Sequence, residues 1–393
     1  MPLKVYDTRS GKKIALLPQD EKRSIRMFLC GPTVYDYSHA GHARMVLAYD
    51  VMARHLRASG AKVSAVVNIT DIDPKIFARA RQEGVSAGEL AGRFIKELQH
   101  DMAALGVDGF AWARVSDHVG TAQEAIKRLL QKGAAYGAAG NVYLDVTGTG
   151  FGGLAGMSGK EIEDSRLDIS EGKRSPSDIL LWNGVEHFDV SFDDSVLGSG
   201  IPWWHMQDTS VAIANFGGRY DLHGGASELV YPHHESHRAQ LRAIAAEDRQ
   251  REEPVRVWTH TGLVYAKGGE KMSKSLGNVV RIRDLLARHG ANAVRLYLLS
   301  KHYRKRFDFD ESKIAEFEEL SAKIAGALAG SDGNEKNKHV GRRRSHFLKD
   351  FMRQLDDDLD TPGAIRVMEK ALGQRPPGRK ELAAMVKVLG LRY

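Results

Sequence analysis

Two short strings carry the residue types that phosphoryl chemistry asks for. His39-Ala40-Gly41-His42 sets two imidazoles three residues apart where a strand hands over to a helix, so both rings can face a ligand lying over the helix N-terminus. A phosphate is the natural guest, because the first helical N–H groups point outward and the helix dipole favours negative charge. Gly41 between the rings removes the Cβ that would block a flat base or a backbone. Lys271-Met272-Ser273-Lys274-Ser275-Leu276-Gly277-Asn278 follows Gly268-Gly269, so two lysines flank small hydroxyl residues on a hinged loop. That arrangement suits neutralising charge on a transferring phosphoryl group. A solvated basic loop would account for the lysines but not for the whole string beside the histidine pair.

The elements that must position these strings are legible from pattern. Met27 to Cys30 reads as a short buried strand, Gly31-Pro32 as a turn, His42 to Leu56 as a helix and Lys62 to Ile69, with Val63, Val66, Val67 and Ile69, as the next strand. Strand, helix and strand in so short a span predict a βαβ unit and a parallel sheet, whose ligands bind at the carboxyl ends of the strands. One helical pattern covers Asp73 to Leu105 and another Val119 to Lys132. Gly140 to Leu154 is Gly-rich with short strand signals, and Met157 to Ser199 is polar and turn-rich. Strand patterns resume at Tyr220 to His223 and Val257 to Val264, around a helix at His234 to Ala246. The last part reads as helices at Ile282 to His289, Asn292 to Leu299 and Glu311 to Leu328, then a polar linker at Gly330 to Ser345.

The 393 residues, 42% apolar and 27% charged, have the balance of a soluble chain of two or three domains. No run approaches a membrane span and the first residues lack a signal-peptide pattern, so the expected location is the cytoplasm. Cys30 is the only cysteine, which rules out an internal disulfide and leaves its thiol as a ligand or a packed core residue. Net charge is +7. From Ser331 onward fourteen basic residues face nine acidic ones, leaving only +2 for everything before. The excess around Arg342, Arg343, Arg344, Arg375, Arg379 and Lys380 fits either a solvated tail or one that contacts RNA.

The two strings, together with Phe28-Leu29-Cys30-Gly31-Pro32-Thr33-Val34-Tyr35-Asp36, Asn68-Ile69-Thr70-Asp71-Ile72-Asp73, Tyr220-Asp221-Leu222-His223-Gly224-Gly225 and Tyr231-Pro232-His233-His234-Glu235, resemble class I aminoacyl-tRNA synthetases, specifically the cysteinyl-tRNA synthetase family. The same strings occur in its shorter relative, the ligase that joins cysteine to glucosaminyl-inositol in mycothiol synthesis. The resemblance runs from Lys4 to about Ala364. It implies an α/β fold, a Rossmann-like parallel-sheet catalytic core split by an insertion and followed by a short helical C-terminal region. In residue terms that is a first half core at 1–105, an insertion at 106–200, a second half core with the lysine loop at 201–285, a helical stem-contact region at 286–330 and a basic, truncated helical tail at 331–393.

The same resemblance implies ATP, Mg2+ and Zn2+, formation of an aminoacyl-adenylate, and transfer of the aminoacyl group to the 3′ end of tRNA. His39, His42, Lys271 and Lys274 then become the catalytic residues. Gly31, Thr33, Gly41, His223, Gly224, Gly225, Ser227, Glu228, Met272 and Ser273 become the nucleotide site, and Cys30, Thr70, Trp204 and His205 the amino-acid site. In the family, two cysteines, a histidine and a glutamate hold a zinc ion that binds the substrate thiolate. Those positions correspond here to Cys30, Asp208, His233 and His237, so two of the four donors differ while all remain metal-ligand types. His233 and His237, at i, i+4, are expected to share one helix face.

Two features keep other readings open. The altered donor set and the short segment after Asp356-Asp357-Asp358-Leu359-Asp360-Thr361-Pro362 favour a ligase that joins cysteine or another amino acid to a small amine or carrier. A non-catalytic paralogue that binds RNA or a nucleotide is the reading from another class, but such proteins tend to lose the phosphate-handling residues, which are intact here.

Overall fold

The computed structural model describes residues 2–16, 24–165, 172–184, 188–245, 253–270, 272, 277–330, 338–374 and 378–393. Its centre is a five-stranded, all-parallel sheet of β1 (Ile25–Leu29), β2 (Val63–Ile69), β3 (Ala111–Arg114), β4 (Tyr220–Ala226) and β5 (Val255–Thr261). The spatial order is β3-β2-β1-β4-β5. Met27, Phe28 and Leu29 of β1 are fully buried, as a strand covered on both faces requires. The order reverses between β1 and β4, and the crevice beyond the carboxyl ends at such a switch point is where doubly wound sheets bind ligands.

Helix α1 (Ala40–Ala58) links β1 to β2 and is buried around most of its circumference, from Ala40 to Leu56. The helical stretch expected over Asp73 to Leu105 consists of two helices, Pro74–Glu83 and Ala87–Ala104. Gly84 takes the left-handed conformation that closes the first, and the reciprocal Ser86–Glu89 capping box opens the second. Strand β3 lies beyond residue 105, so the first half of the sheet runs further than the expected boundary. The polar stretch Met157 to Ser199 contains a buried strand, Ile179–Asn183, because its Ile-Leu-Leu-Trp run supplies the apolar contact. With Ala135–Ala138, Asn141–Leu144 and Ile201–Pro202 it forms a separate antiparallel sheet.

After β5, Val264–Tyr265 pairs in parallel with Phe307–Asp308, and the chain continues as helices. The expected linker at Gly330 to Ser345 is helical from Lys338, within a helix Lys338–Asp356, while 331–337 lie outside the described residues. Helices Thr361–Gln374 and Arg379–Leu389 follow, and the last packs on α1 with Leu382, Met385 and Leu389 buried. Asp358 accepts from the Tyr6 amide, the Tyr303 hydroxyl and the Arg304 guanidinium, all at 2.8 Å. One buried carboxylate thus ties the N-terminal hairpin, the turn at 301–305 and the helical tail together.

Candidate active site

The cleft at the switch point has a volume of about 380 Å³. It is lined by Cys30, Gly31, Pro32 and Thr33 after β1, by His39, Gly41 and His42 at the start of α1, by Thr70 after β2, and by Ala226 and Glu228 at and just after the end of β4. The turn after β1 needs glycine at 31: a Cβ there would penetrate the Asn68 backbone carbonyl and come within 2.9 Å of Val67. The Gly31 amide instead donates to Asn68 Oδ1 at 2.6 Å.

His39 is the N-cap of α1. Its Nδ1 accepts from the amides of Gly41 at 3.1 Å and His42 at 3.4 Å, and its ring stacks on His42 at 3.6 Å between centroids. The cap therefore takes up amides that the sequence reading left for a phosphate. Because Nδ1 accepts, the neutral ring carries its proton on Nε2, which makes that nitrogen a donor.

Lys271, Ser273 and Lys274 lie outside the described residues, but both roots of their loop are fixed beside α1. On the far side, the Ala40 amide donates to Val280 O at 2.9 Å and the Ile282 amide to Ser38 O at 3.1 Å. On the near side, Arg44 Nη1 donates to Gly262 O at 2.8 Å. Met272 lines the same cleft as the histidine pair.

Other expected nucleotide residues sit elsewhere. His223, Gly224 and Gly225 are fully buried strand residues beneath the cleft and do not line it. Gly224 admits the Tyr49 ring and Gly225 admits the His234 ring, each of which would meet an added Cβ at 2.5 Å. Ser227 is exposed and off the cleft wall, whereas Glu228 is on it. In the amino-acid site, Trp204, at the start of α2 (Trp204–Phe216), lies on the cleft wall and stacks on His233 at 4.4 Å and 3°. His205 is buried behind it, its Nδ1 3.0 Å from His233 Nδ1.

Below this wall Cys30, Asp208, His233 and His234 bring donor atoms to within 4.8 Å of one another, all buried. A tetrahedral zinc with bonds of about 2.0–2.3 Å separates its donors by roughly 3.3–3.8 Å, so the set needs to contract only slightly. Asn68 Nδ2 donates to Asp208 Oδ1 at 2.8 Å, and His233 Nε2 lies 3.2 Å from Asp208 Oδ2. Burial pushes the Cys30 thiol well above its ordinary value, with Asp208 adding to the shift. Burial works to raise Asp208 as well, but His233, His237 and the Cys30 thiol together hold the carboxyl below its usual range. The donor types and their enclosure fit a zinc-like ion.

His237, the expected fourth donor, is not in this group. Its Nδ1 is 2.8 Å from Thr209 Oγ1 and its Nε2 is 2.7 Å from the Tyr220 hydroxyl. Only Tyr231 departs from helical backbone in the turn Val230–His234 that leads into helix α3 (Glu235–Ala245), so it is the bonds to Thr209 and Tyr220 that hold the His237 ring away from the group. Burial lowers His237 and His260 to about 3, so both are neutral rings at neutral pH. Besides His234, the sequence reading missed Asn68, which joins the Gly31 turn to Asp208, and Arg44; neither has a spacing signal.

Residues 16–319 match the family described as the tRNA synthetases class I (C) catalytic domain. The chain is 42% identical over 314 residues to the cysteine–tRNA ligase of Pyrococcus abyssi, covering 79% of this chain and 64% of that protein's length. It is 35% identical over 409 residues to the cysteine–tRNA ligase of Geobacter metallireducens, covering 98% and 82%. Among solved structures, Mycobacterium tuberculosis methionyl-tRNA synthetase in complex with methionyl-adenylate superposes with a TM-score of 0.69 at 15% identity, covering 93% of this chain and 88% of that one. Thermus thermophilus arginyl-tRNA synthetase gives 0.58 at 14%, covering 95% and 82%. At such identities these two establish the fold. No helix among the described residues is long and apolar enough to cross a membrane.

Proposed function

The chain belongs to the class I tRNA synthetase (C) catalytic family, and on that premise we propose that it activates cysteine with ATP and Mg2+ and transfers the cysteinyl group to tRNA in the cytoplasm. The observation that supports this most is the double anchoring of the lysine loop beside the histidine pair, through Ala40–Val280, Ser38–Ile282 and Arg44–Gly262. It sets both ends of the segment that carries the lysines beside the helix that carries the histidine pair.

In the first step the cysteine carboxylate attacks the α-phosphorus of ATP. The new carboxyl–phosphorus bond forms as the bond to pyrophosphate breaks, and no proton has to move. His39, with its proton on Nε2, donates to the phosphate oxygens as negative charge shifts outward, and His42 stacked against it adds a second polar edge. Lys271 and Lys274 neutralise the departing pyrophosphate. Gly31, Thr33, Gly41, Glu228 and Met272 shape the nucleotide side of the cleft, and Cys30, Thr70 and Trp204 the amino-acid side. Mg2+ bound with ATP would supply charge neutralisation on the outer phosphates. In the second step a ribose hydroxyl at the tRNA 3′ end attacks the carbonyl, the bond from the carbonyl carbon to the phosphate oxygen breaks, and AMP leaves with its phosphate taking up the hydroxyl proton.

Cys30, Asp208 and His233 would hold a zinc ion beside Trp204. That ion supplies an electrophile for the substrate thiol, which distinguishes cysteine from serine by ligand softness. The division into half cores, insertion, stem-contact region and tail belongs to the same proposal, with the sheet's first half extended to include β3. The test is charging of total tRNA with labelled cysteine or serine. Cysteine should be esterified to tRNA and serine not; charging with serine, or cysteine activation with no tRNA product, would refute the assignment.

A further inference from the structure

We infer that the fourth metal donor of this chain is His234, and that His237, at the position where the family has a ligand, has become a positioning residue held away from the ion. The inference rests on reading Cys30, Asp208 and His233 as a metal centre.

His234 is fully buried, its Nε2 has no hydrogen-bond partner, and a nitrogen of its ring comes within 4.8 Å of the thiol, the carboxylate and His233. An orphaned imidazole nitrogen at such a place is costly unless something takes its lone pair. Its other nitrogen is engaged: Nδ1 is 2.8 Å from His260 Nε2, and His260 Nδ1 is 2.7 Å from Thr8 Oγ1. With each ring donating from Nδ1, the proton order runs from His234 to His260 to Thr8 and leaves the lone pair on His234 Nε2. Metal-binding histidines are oriented by a hydrogen bond from the second nitrogen in this way. The backbone makes room for the ring, because any Cβ at Gly225 would lie 2.5 Å from His234 Cε1.

His237 has the opposite environment. Both nitrogens are engaged, by Thr209 and by Tyr220, and the ring lies against Phe28 at 15° and 5.9 Å. Turning it to the ion would break two buried hydrogen bonds. Tyr220 also lies 2.8 Å from His223 Nδ1, so His237 and His223 share that hydroxyl and His237 braces the floor of the cleft. The resulting set of one thiolate, one carboxylate and two neutral imidazoles leaves bound Zn2+ near zero net charge, with a single soft ligand.

The test is zinc affinity by chelator competition on the full-length chain, with Co2+ absorption as a second readout, for wild type, His234→Asn, His237→Asn and His260→Gln. His234→Asn should weaken zinc binding by about 10²-fold or more and change the cobalt spectrum while its thiolate charge-transfer band stays. His260→Gln, which disturbs the orienting bond and its continuation to Thr8 but removes no donor, should cost about 10–100-fold. His237→Asn should keep zinc affinity and the cobalt spectrum within the scatter of wild type. Circular dichroism guards against unfolding, and His260→Gln decides the matter should His234→Asn not fold. Loss of zinc from His237→Asn with retention in His234→Asn, or equal loss from both, overturns the inference. A wild-type chain that binds no zinc overturns it together with the metal reading, while cysteine-dependent adenylate formation, measured separately, would then still stand.

Discussion

Arg44 Nη1 lies 2.8 Å from the carbonyl oxygen of Gly262, joining the helix of the histidine pair to the segment that leads into the lysine loop. The same guanidinium donates to the carbonyls of Tyr303, His302 and Lys305 at 2.8–3.1 Å and lies 5.1 Å from the Phe307 ring. Burial lowers its pKa to about 10, so it stays charged at neutral pH. A lysine has a point charge in place of this planar fork. Arg44→Lys should lower kcat for pyrophosphate exchange roughly 10-fold to 10²-fold through lost alignment, with KM for cysteine unchanged. A rise in that KM with kcat preserved would contradict the positioning role.

His39 serves two purposes that substitution can separate. His39→Ala removes the cap of α1, which costs about 0.5–2 kcal/mol, and also removes the phosphate donor. Asparagine is a good cap, so His39→Asn should restore most of the stability measured by urea denaturation yet remain about 10²-fold slow in exchange.

Acid should unfold the protein through its buried imidazoles. His237 and His260, ordinarily near 6.5, are held down to about 3 by burial. Between those values the unfolded chain binds protons that the native chain refuses. Their contribution is complete above pH 6.5 and is lost as pH falls toward 3, at about 1.4 kcal/mol per pH unit for each ring. Urea denaturation across this range should give that slope, and His237→Gln should reduce it by the equivalent of one proton.

Gly31→Ala should destabilise the chain by at least about 1–3 kcal/mol, because the new methyl has only the rigid backbone of β2 to displace. Thermal melting checks this. A neutral outcome would mean that the turn after β1 is looser than the Gly31–Asn68 hydrogen bond implies.

Much of the site was legible because local chemistry fixes it. The β1–α1–β2 unit follows from hydrophobic period, and the histidine pair and Trp204 reach the cleft as their places at element ends require. What stayed hidden depends on distant partners. Strand β3 is four half-exposed residues with no alternation to read. That Gly224 and Gly225 make room for the rings of Tyr49 and His234 has no local signal, since those rings arrive from other elements. The i, i+4 spacing of His233 and His237 did not bring their rings to one group, because Thr209 and Tyr220, on other elements, hold His237 aside.

The central claim is that the anchored histidine and lysine strings drive amino-acid activation at one cleft, and ATP–pyrophosphate exchange measured with each of the twenty amino acids tests it most directly. The account predicts exchange with cysteine, reduced by about 10²–10³-fold in His42→Ala and in Lys274→Ala. Exchange with no amino acid, or exchange that both substitutions leave untouched, would contradict it.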